Sequence, residues 1–267
     1  MNPPNFRLLL SRFAAVALLT SFLVSCDKED SEQPAPPPPV NVKLKEFKND
    51  EDFVRFSYAA DGKINKATVK SELNVWNGVV EYTIAYNGQQ LASLQGDNGE
   101  TIVPVYENNK LKRADIFVGP DRVGYSNYYF ENNRLKSVTI YTATDSDFEP
   151  VLEFSFTYNA AGNVAETVVM SASGTPNLLT RSGHTTYEYD QKTNPLLAYN
   201  DILLLFWQVA SKNNITLENH FDRDLQPEDR YAYTYTYKAN GLPEKAVVKI
   251  GLPGQPSTTT NVEYIYQ

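Results

Sequence analysis

One recurring unit limits what this chain can fold into. An alternating segment ends in an aromatic residue, a polar turn follows, and an apolar residue opens the next segment. Three copies read Tyr58-Ala-Ala-Asp-Gly62, Tyr158-Asn-Ala-Ala-Gly162 and Tyr237-Lys-Ala-Asn-Gly241. Two more replace the glycine, Tyr106-Glu-Asn-Asn-Lys-Leu-Lys and Phe130-Glu-Asn-Asn-Arg-Leu-Lys, and a shorter one is Tyr86-Asn87-Gly88. Gly and Asn accept positive φ at low cost, which tight hairpins require. A second set of turns lies at the opposite ends of the segments: Asn77-Gly78, Gly96-Asp97-Asn98-Gly99, Gly119-Pro120-Asp121 and Gly251-Leu252-Pro253-Gly254. Two alternating sets of turns mean an up-and-down meander.

Between turns the period is two. Tyr231, Tyr233, Tyr235 and Tyr237 share one face, with Ala232, Thr234, Thr236 and Lys238 on the other. Phe154, Phe156 and Tyr158 oppose Glu153, Ser155 and Thr157, and Val54, Phe56 and Tyr58 oppose Arg55 and Ser57. Such strands bury one face and wet the other. The pattern predicts an all-β fold: an antiparallel meander of about fifteen strands, forming a large curved sheet or a barrel.

Residues 195–210 break the rhythm. Leu196, Leu197, Ile202, Leu203, Leu204, Leu205, Phe206 and Trp207 leave hardly any polar face. Asn194 suits an N-cap and Pro195 a first helical turn. The expectation is a buried crossover helix of about 15 residues, packed against or inside the sheet, with two buried strands as the alternative.

The N-terminus carries an address. Arg7 and Arg12 precede an apolar run from Phe13 to Val24, and Leu23-Val24-Ser25-Cys26 ends it with the chain's only cysteine. The run is too short for a membrane span of about 20 residues. It has the layout of an export signal, 1–25, cut before a Cys26 that becomes lipid-bearing. Residues 26–39 then hold the lipidated cysteine, the acidic cluster Asp27-Lys28-Glu29-Asp30-Ser31-Glu32, and a tether whose consecutive prolines stiffen it. Residues 40–267 form a single repetitive β domain. The membrane is the expected partner through the lipid at Cys26. The acidic cluster resembles the surface-export signal of Bacteroidetes-type lipoproteins, which implies the outer membrane facing the cell exterior, with the periplasmic face as the alternative.

Without residues 1–25, 22 Lys and Arg face 32 Asp and Glu, a net charge of −10. Such a domain repels nucleic acid and anionic headgroups, and nucleic acid is excluded as a partner.

The Tyr-turn-Gly rhythm resembles YD-repeat (RHS-type) arrays, although only Tyr189-Asp190 matches their dipeptide. With the cysteine at the end of the apolar run, the acidic tag and the Tyr-rich hairpins, the chain more closely resembles an uncharacterised Bacteroidetes surface lipoprotein family with a porin-like fold. The stretch Tyr187-Glu-Tyr-Asp-Gln-Lys-Thr-Asn-Pro195 and the later Ser211-Lys-Asn-Asn214 look like that family's landmarks. The resemblance implies a porin-like β fold and no established activity.

Candidates for chemistry are few. His184 and His220 are the only histidines, and each is read as structural. No Gly-x-Ser-x-Gly, phosphate-cradling loop or nucleotide fingerprint occurs. Asp145, Asp147 and Glu149 offer hard oxygens as a weak calcium candidate, without the Gly and distal Glu of an EF-hand loop. A solvated turn is the preferred reading there. Trp76, before Asn77-Gly78, is the aromatic expected to contact a ligand. No cofactor and no catalytic residue is expected. The leading expectation is a non-enzymatic surface lipoprotein that binds a glycan or scaffolds an outer-membrane protein complex. The alternatives are an integral porin-like barrel and a surface carbohydrate hydrolase.

Overall fold

The computed structural model describes residues 42–71, 78–145 and 147–267. Cys26, the export segment, the tether and Trp76 lie outside the described residues. The first eight strands are β1 (Leu44–Lys48), β2 (Phe53–Tyr58), β3 (Ile64–Ser71), β4 (Gly78–Asn87), β5 (Gln90–Gly96), β6 (Glu100–Glu107), β7 (Lys110–Val118) and β8 (Asp121–Glu131). The others are β9 (Arg134–Ala143), β10 (Phe148–Tyr158), β11 (Val164–Ala172), β12 (Leu179–Thr193), β13 (Asn213–Phe221), β14 (Pro227–Tyr237), β15 (Pro243–Ile250) and β16 (Thr258–Tyr266). All pairings are antiparallel between neighbours in sequence, and β1 pairs with β16 to close a barrel. Both turn sets therefore fall as the repeat requires, one at each end.

At one end, which we call the entry end, the described chain begins and also finishes, with Lys43 and Gln267 exchanging backbone hydrogen bonds. Each even strand carries an aromatic residue at or next to its last position there, except β12, which runs four residues past Tyr189 to Thr193. The turns after Glu107 and Glu131 hold Asn108, Asn109, Asn132 and Asn133 at φ between 50° and 62°, the left-handed geometry that matches a hairpin's twist.

The repeat contains a device that alternation alone does not reveal. Near its start each odd strand carries one extra residue, seen as a register shift beside the aromatic of the even strand. Lys112 and Lys136 are two such bulged residues. The inward series then advances by three before returning to two: Leu111 and Ala114, Leu135 and Val138, Leu91 and Leu94 are all buried. Each aromatic pairs directly with the first of these aliphatic residues, as Tyr58 with Ile64 and Tyr158 with Val164. The phenol hydroxyls need acceptors. Tyr158 donates to the Leu135 carbonyl at 2.8 Å and Tyr266 to the Pro243 carbonyl at 2.8 Å, each on the strand just before its own. A ring of aromatic and aliphatic side chains thus lines the entry end.

The apolar segment after β12 turns into the lumen. A 3-10 turn, Pro195–Tyr199, runs into α1, Asn200–Leu205. Asn194 Oδ1 caps it by accepting from Leu196 N–H at 2.9 Å, and Pro195 takes the first turn. The helical part is shorter than its apolar run. Trp207 adopts φ 61° and Gln208 N–H returns to the Leu203 carbonyl, which ends the helix. The segment meets widely separated strands. Tyr199 Oη accepts from Leu44 N–H at 2.8 Å and its ring stacks on Phe56 at 4.6 Å. Phe206 packs edge-on to Tyr82, Tyr128 donates to the Leu204 carbonyl, and Trp207 Nε1 donates to Ser126 Oγ at 2.7 Å. Since β1 and β8 lie nearly opposite in the strand order, the segment crosses the lumen as a plug.

The outer wall carries the ion pairs. Glu263 lies between Lys48 and Lys245, Arg55 pairs with Glu46, and Lys66 with Glu81.

Candidate functional site

Three places gather groups able to do chemistry or to bind. The first is inside the barrel. By the bulge rule, the inward residue three beyond Ile215 is Glu218. Other units hold Phe47, Ala67, Leu94, Ala114, Val138 or Ala246 at that position. Glu218 is 1 % exposed. Its Oε2 lies 2.7 Å from His220 Nε2, at an angle too oblique for a good hydrogen bond, and its Oε1 has no partner. His220 Nδ1 reaches Thr185 Oγ1 at 3.1 Å, and Tyr187, opposite Glu218, donates to Thr167 Oγ1. Burial pushes the Glu218 carboxyl well above the usual carboxylate range and His220 down to about 4. Burial thus favours the protonated carboxyl beside a neutral imidazole. The depression described next is lined by Tyr187 but by neither member of the pair.

The second place is a depression of about 480 Å³ at the entry end, bordered by Asn159, Asn163, Tyr187, Tyr189, Asp190 and Asn213. Most of its polar groups are spent on one another. Asn163 and Asn213 exchange hydrogen bonds at 2.9 and 3.1 Å. Asp190 accepts from the N–H of Lys192, the N–H and amide of Asn214, and the Tyr237 hydroxyl. Ser211 Oγ donates to the Tyr189 hydroxyl at 2.9 Å and accepts from Val164 N–H. The two sequence landmarks, from Tyr187 and from Ser211, thus clasp each other at the base of the plug.

The third place is the outer wall of β7–β10. Tyr125 stacks on Tyr141 at 4.5 Å and meets Phe148 edge-on. The Arg122 guanidinium lies 4.5 Å over Tyr125 and 4.9 Å over Phe148. Asp115, 8 % exposed, pairs with both Arg113 and Arg122. Tyr129 projects from the same face of β8 and is 58 % exposed.

Of the residues singled out in sequence, Asp145 and Asp147 lie in the exposed β9–β10 turn and Glu149 on β10. Asp147 is used locally, its Oδ1 accepting from Phe148 N–H and its carbonyl from Thr144 Oγ1. Among the described residues no group of His, Cys, Asp or Glu is arranged to hold a metal ion. His184 pairs with Glu166 across β11 and β12. Glu218 escaped sequence reasoning; its signal was the three-residue step from Ile215, invisible to a strict period of two. The Arg122 cluster escaped because its members come from four strands.

No protein-family model matches this chain, and no curated protein does. Among solved structures it is similar to a porin-like protein from Bacteroides uniformis, with TM-score 0.56 and 13 % identity over 84 % of this chain and 98 % of that one. A porin-like protein from Bacteroides vulgatus matches with TM-score 0.56 and 13 % identity, over 85 % and 99 % of the two chains. At this identity the likeness is one of fold: a porin-like β-barrel.

Proposed function

We propose that this chain is an outer-membrane lipoprotein, anchored by Cys26 at the cell surface, whose barrel binds a glycan or scaffolds a partner protein without catalysis. One observation carries the reading. A membrane-spanning barrel turns apolar residues to lipid and polar ones to its lumen. Here ion pairs such as Lys48–Glu263 and Lys66–Glu81 stand on the outer wall, while the lumen holds the apolar core and a plug. The stacked Tyr125–Tyr141 pair with Arg122 offers the outer wall's best contact surface, since aromatic and guanidinium groups concentrate binding energy. Of the two carboxylates bordering the depression, Glu188 and Asp190, Asp190 is spent on four hydrogen bonds, which supports binding over hydrolysis. Fold likeness to two Bacteroides porin-like proteins agrees with membership of the porin-like lipoprotein family that the sequence resembles.

An integral barrel is the second reading. It is favoured by that same likeness and by a strand number at which spanning barrels form channels. Protease treatment of intact cells tests the location. The anchored surface protein is expected to be shaved from wild-type cells; full protection, while a known surface lipoprotein is cleaved, would overturn it.

A further inference from the structure

The net charge hides a separation along the barrel axis. Counting the connections and the strand residues that flank them, the described residues at the entry end carry six basic and four acidic side chains. The basic ones are Lys43, Lys63, Lys110, Arg134, Lys212 and Lys238. The same count at the far end gives two basic and ten acidic side chains. Three of the acidic ones, Asp50, Glu51 and Asp52, crowd one turn, and Asp222 and Asp224 share another.

The basic side chains are set around the rim by the repeat itself. Lys43, Lys63, Arg134 and Lys238 each lie over the terminal aromatic of a neighbouring hairpin, at 4.8, 5.0, 5.3 and 5.6 Å. Lys43 Nζ and Lys63 Nζ donate to the carbonyls of Gly62 and Gly88 in the next turns, and Lys110 Nζ to Asn133. Their charges are therefore held at the rim. The described chain also begins at this end, at residue 42, with Cys26 upstream.

We propose that the entry end rests on an anionic phospholipid headgroup surface, with the acidic far end directed away from it. The proposal rests on the lipid attachment at Cys26 argued above. The acyl chains hold the tag Asp27–Glu32 at the surface in either orientation, and the proline spacer separates that tag from the barrel. A basic residue near an anionic leaflet is attracted and an acidic one repelled, so turning the barrel over exchanges weak attraction for strong repulsion.

The test uses the lipidated protein in vesicles of phosphatidylcholine alone, or with roughly a third phosphatidylglycerol. A membrane-impermeant amine reagent labels exposed lysines, read by mass spectrometry. Lys110, Lys212 and Lys238 at the entry end are compared with Lys70 and Lys249, near the far end and exposed. In anionic vesicles the first group is expected to lose labelling about threefold or more relative to the second, and to regain it near 1 M salt, where the Debye length falls to about 3 Å. Equal labelling in both vesicles, with the protein floating with each, overturns the proposal alone. Failure to float even with neutral vesicles overturns the anchoring and this proposal with it.

Discussion

Burial raises the Glu218 carboxyl in the folded barrel, because an ionised carboxyl there would lose its water beside Tyr187 and a neutral imidazole. The consequence for stability follows from counting protons. Unfolded, a carboxyl near 4.5 and an imidazole near 6.5 hold one proton between them across that window, as the folded pair does, so the pair adds no pH dependence there. Above 6.5 the unfolded pair loses its proton while the folded carboxyl keeps it, so stability falls as pH rises, by about 1.4 kcal/mol per unit. Below 4.5 the unfolded pair takes a second proton that His220 refuses until about 4, a smaller loss. Glu218→Gln removes the alkaline limb. Above about pH 6.5, wild type is expected to lose stability with rising pH more steeply than the variant in denaturant titrations. Parallel curves would show that the buried carboxyl is ionised.

At the scale of the element, the hairpin unit was legible because its parts are local. Tyr106-Glu-Asn-Asn-Lys-Leu carries its strand end, its left-handed turn and its inward aliphatic within a few residues. The bulge after each aliphatic was not, since period two from Leu111 places Arg113 inside, whereas the extra Lys112 brings Ala114 there. The plug was half legible. Asn194, Pro195 and the all-round apolar run announced a buried helix, but not its early end at Trp207. There the segment folds back on itself, with Asn200 Oδ1 at the start of α1 accepting from Ala210 N–H. Tyr199 anchors the plug to the wall. Tyr199→Phe leaves the buried Leu44 N–H without its acceptor and should cost about 1–3 kcal/mol. Tyr129→Phe, on the exposed wall, should cost almost nothing. Equal stability of both variants in chemical denaturation would mean that the plug is not held through this hydroxyl.

For the whole molecule, closure into a barrel needed the pairing of β1 with β16, two strands at opposite ends of the domain, and no local pattern specifies that seam. Nor did composition reveal the axial charge separation, because a net charge sums over turns that the topology sends to opposite ends. The candidate contact surfaces were still less legible: Arg122, Tyr125, Tyr141, Asp115 and Phe148 become neighbours only through register. What alternation did establish is which face is polar and exposed, and on that the proposed function depends. On the proposed reading, a polar wall around an apolar, plugged lumen belongs in water. The most direct test is to produce the chain without residues 1–26 and purify it with no detergent. The expected product is a soluble, monodisperse β protein that unfolds cooperatively and induces no conductance in planar bilayers. A chain that aggregates unless detergent is supplied, and that opens channels when reconstituted, would contradict it and establish the membrane-spanning barrel instead.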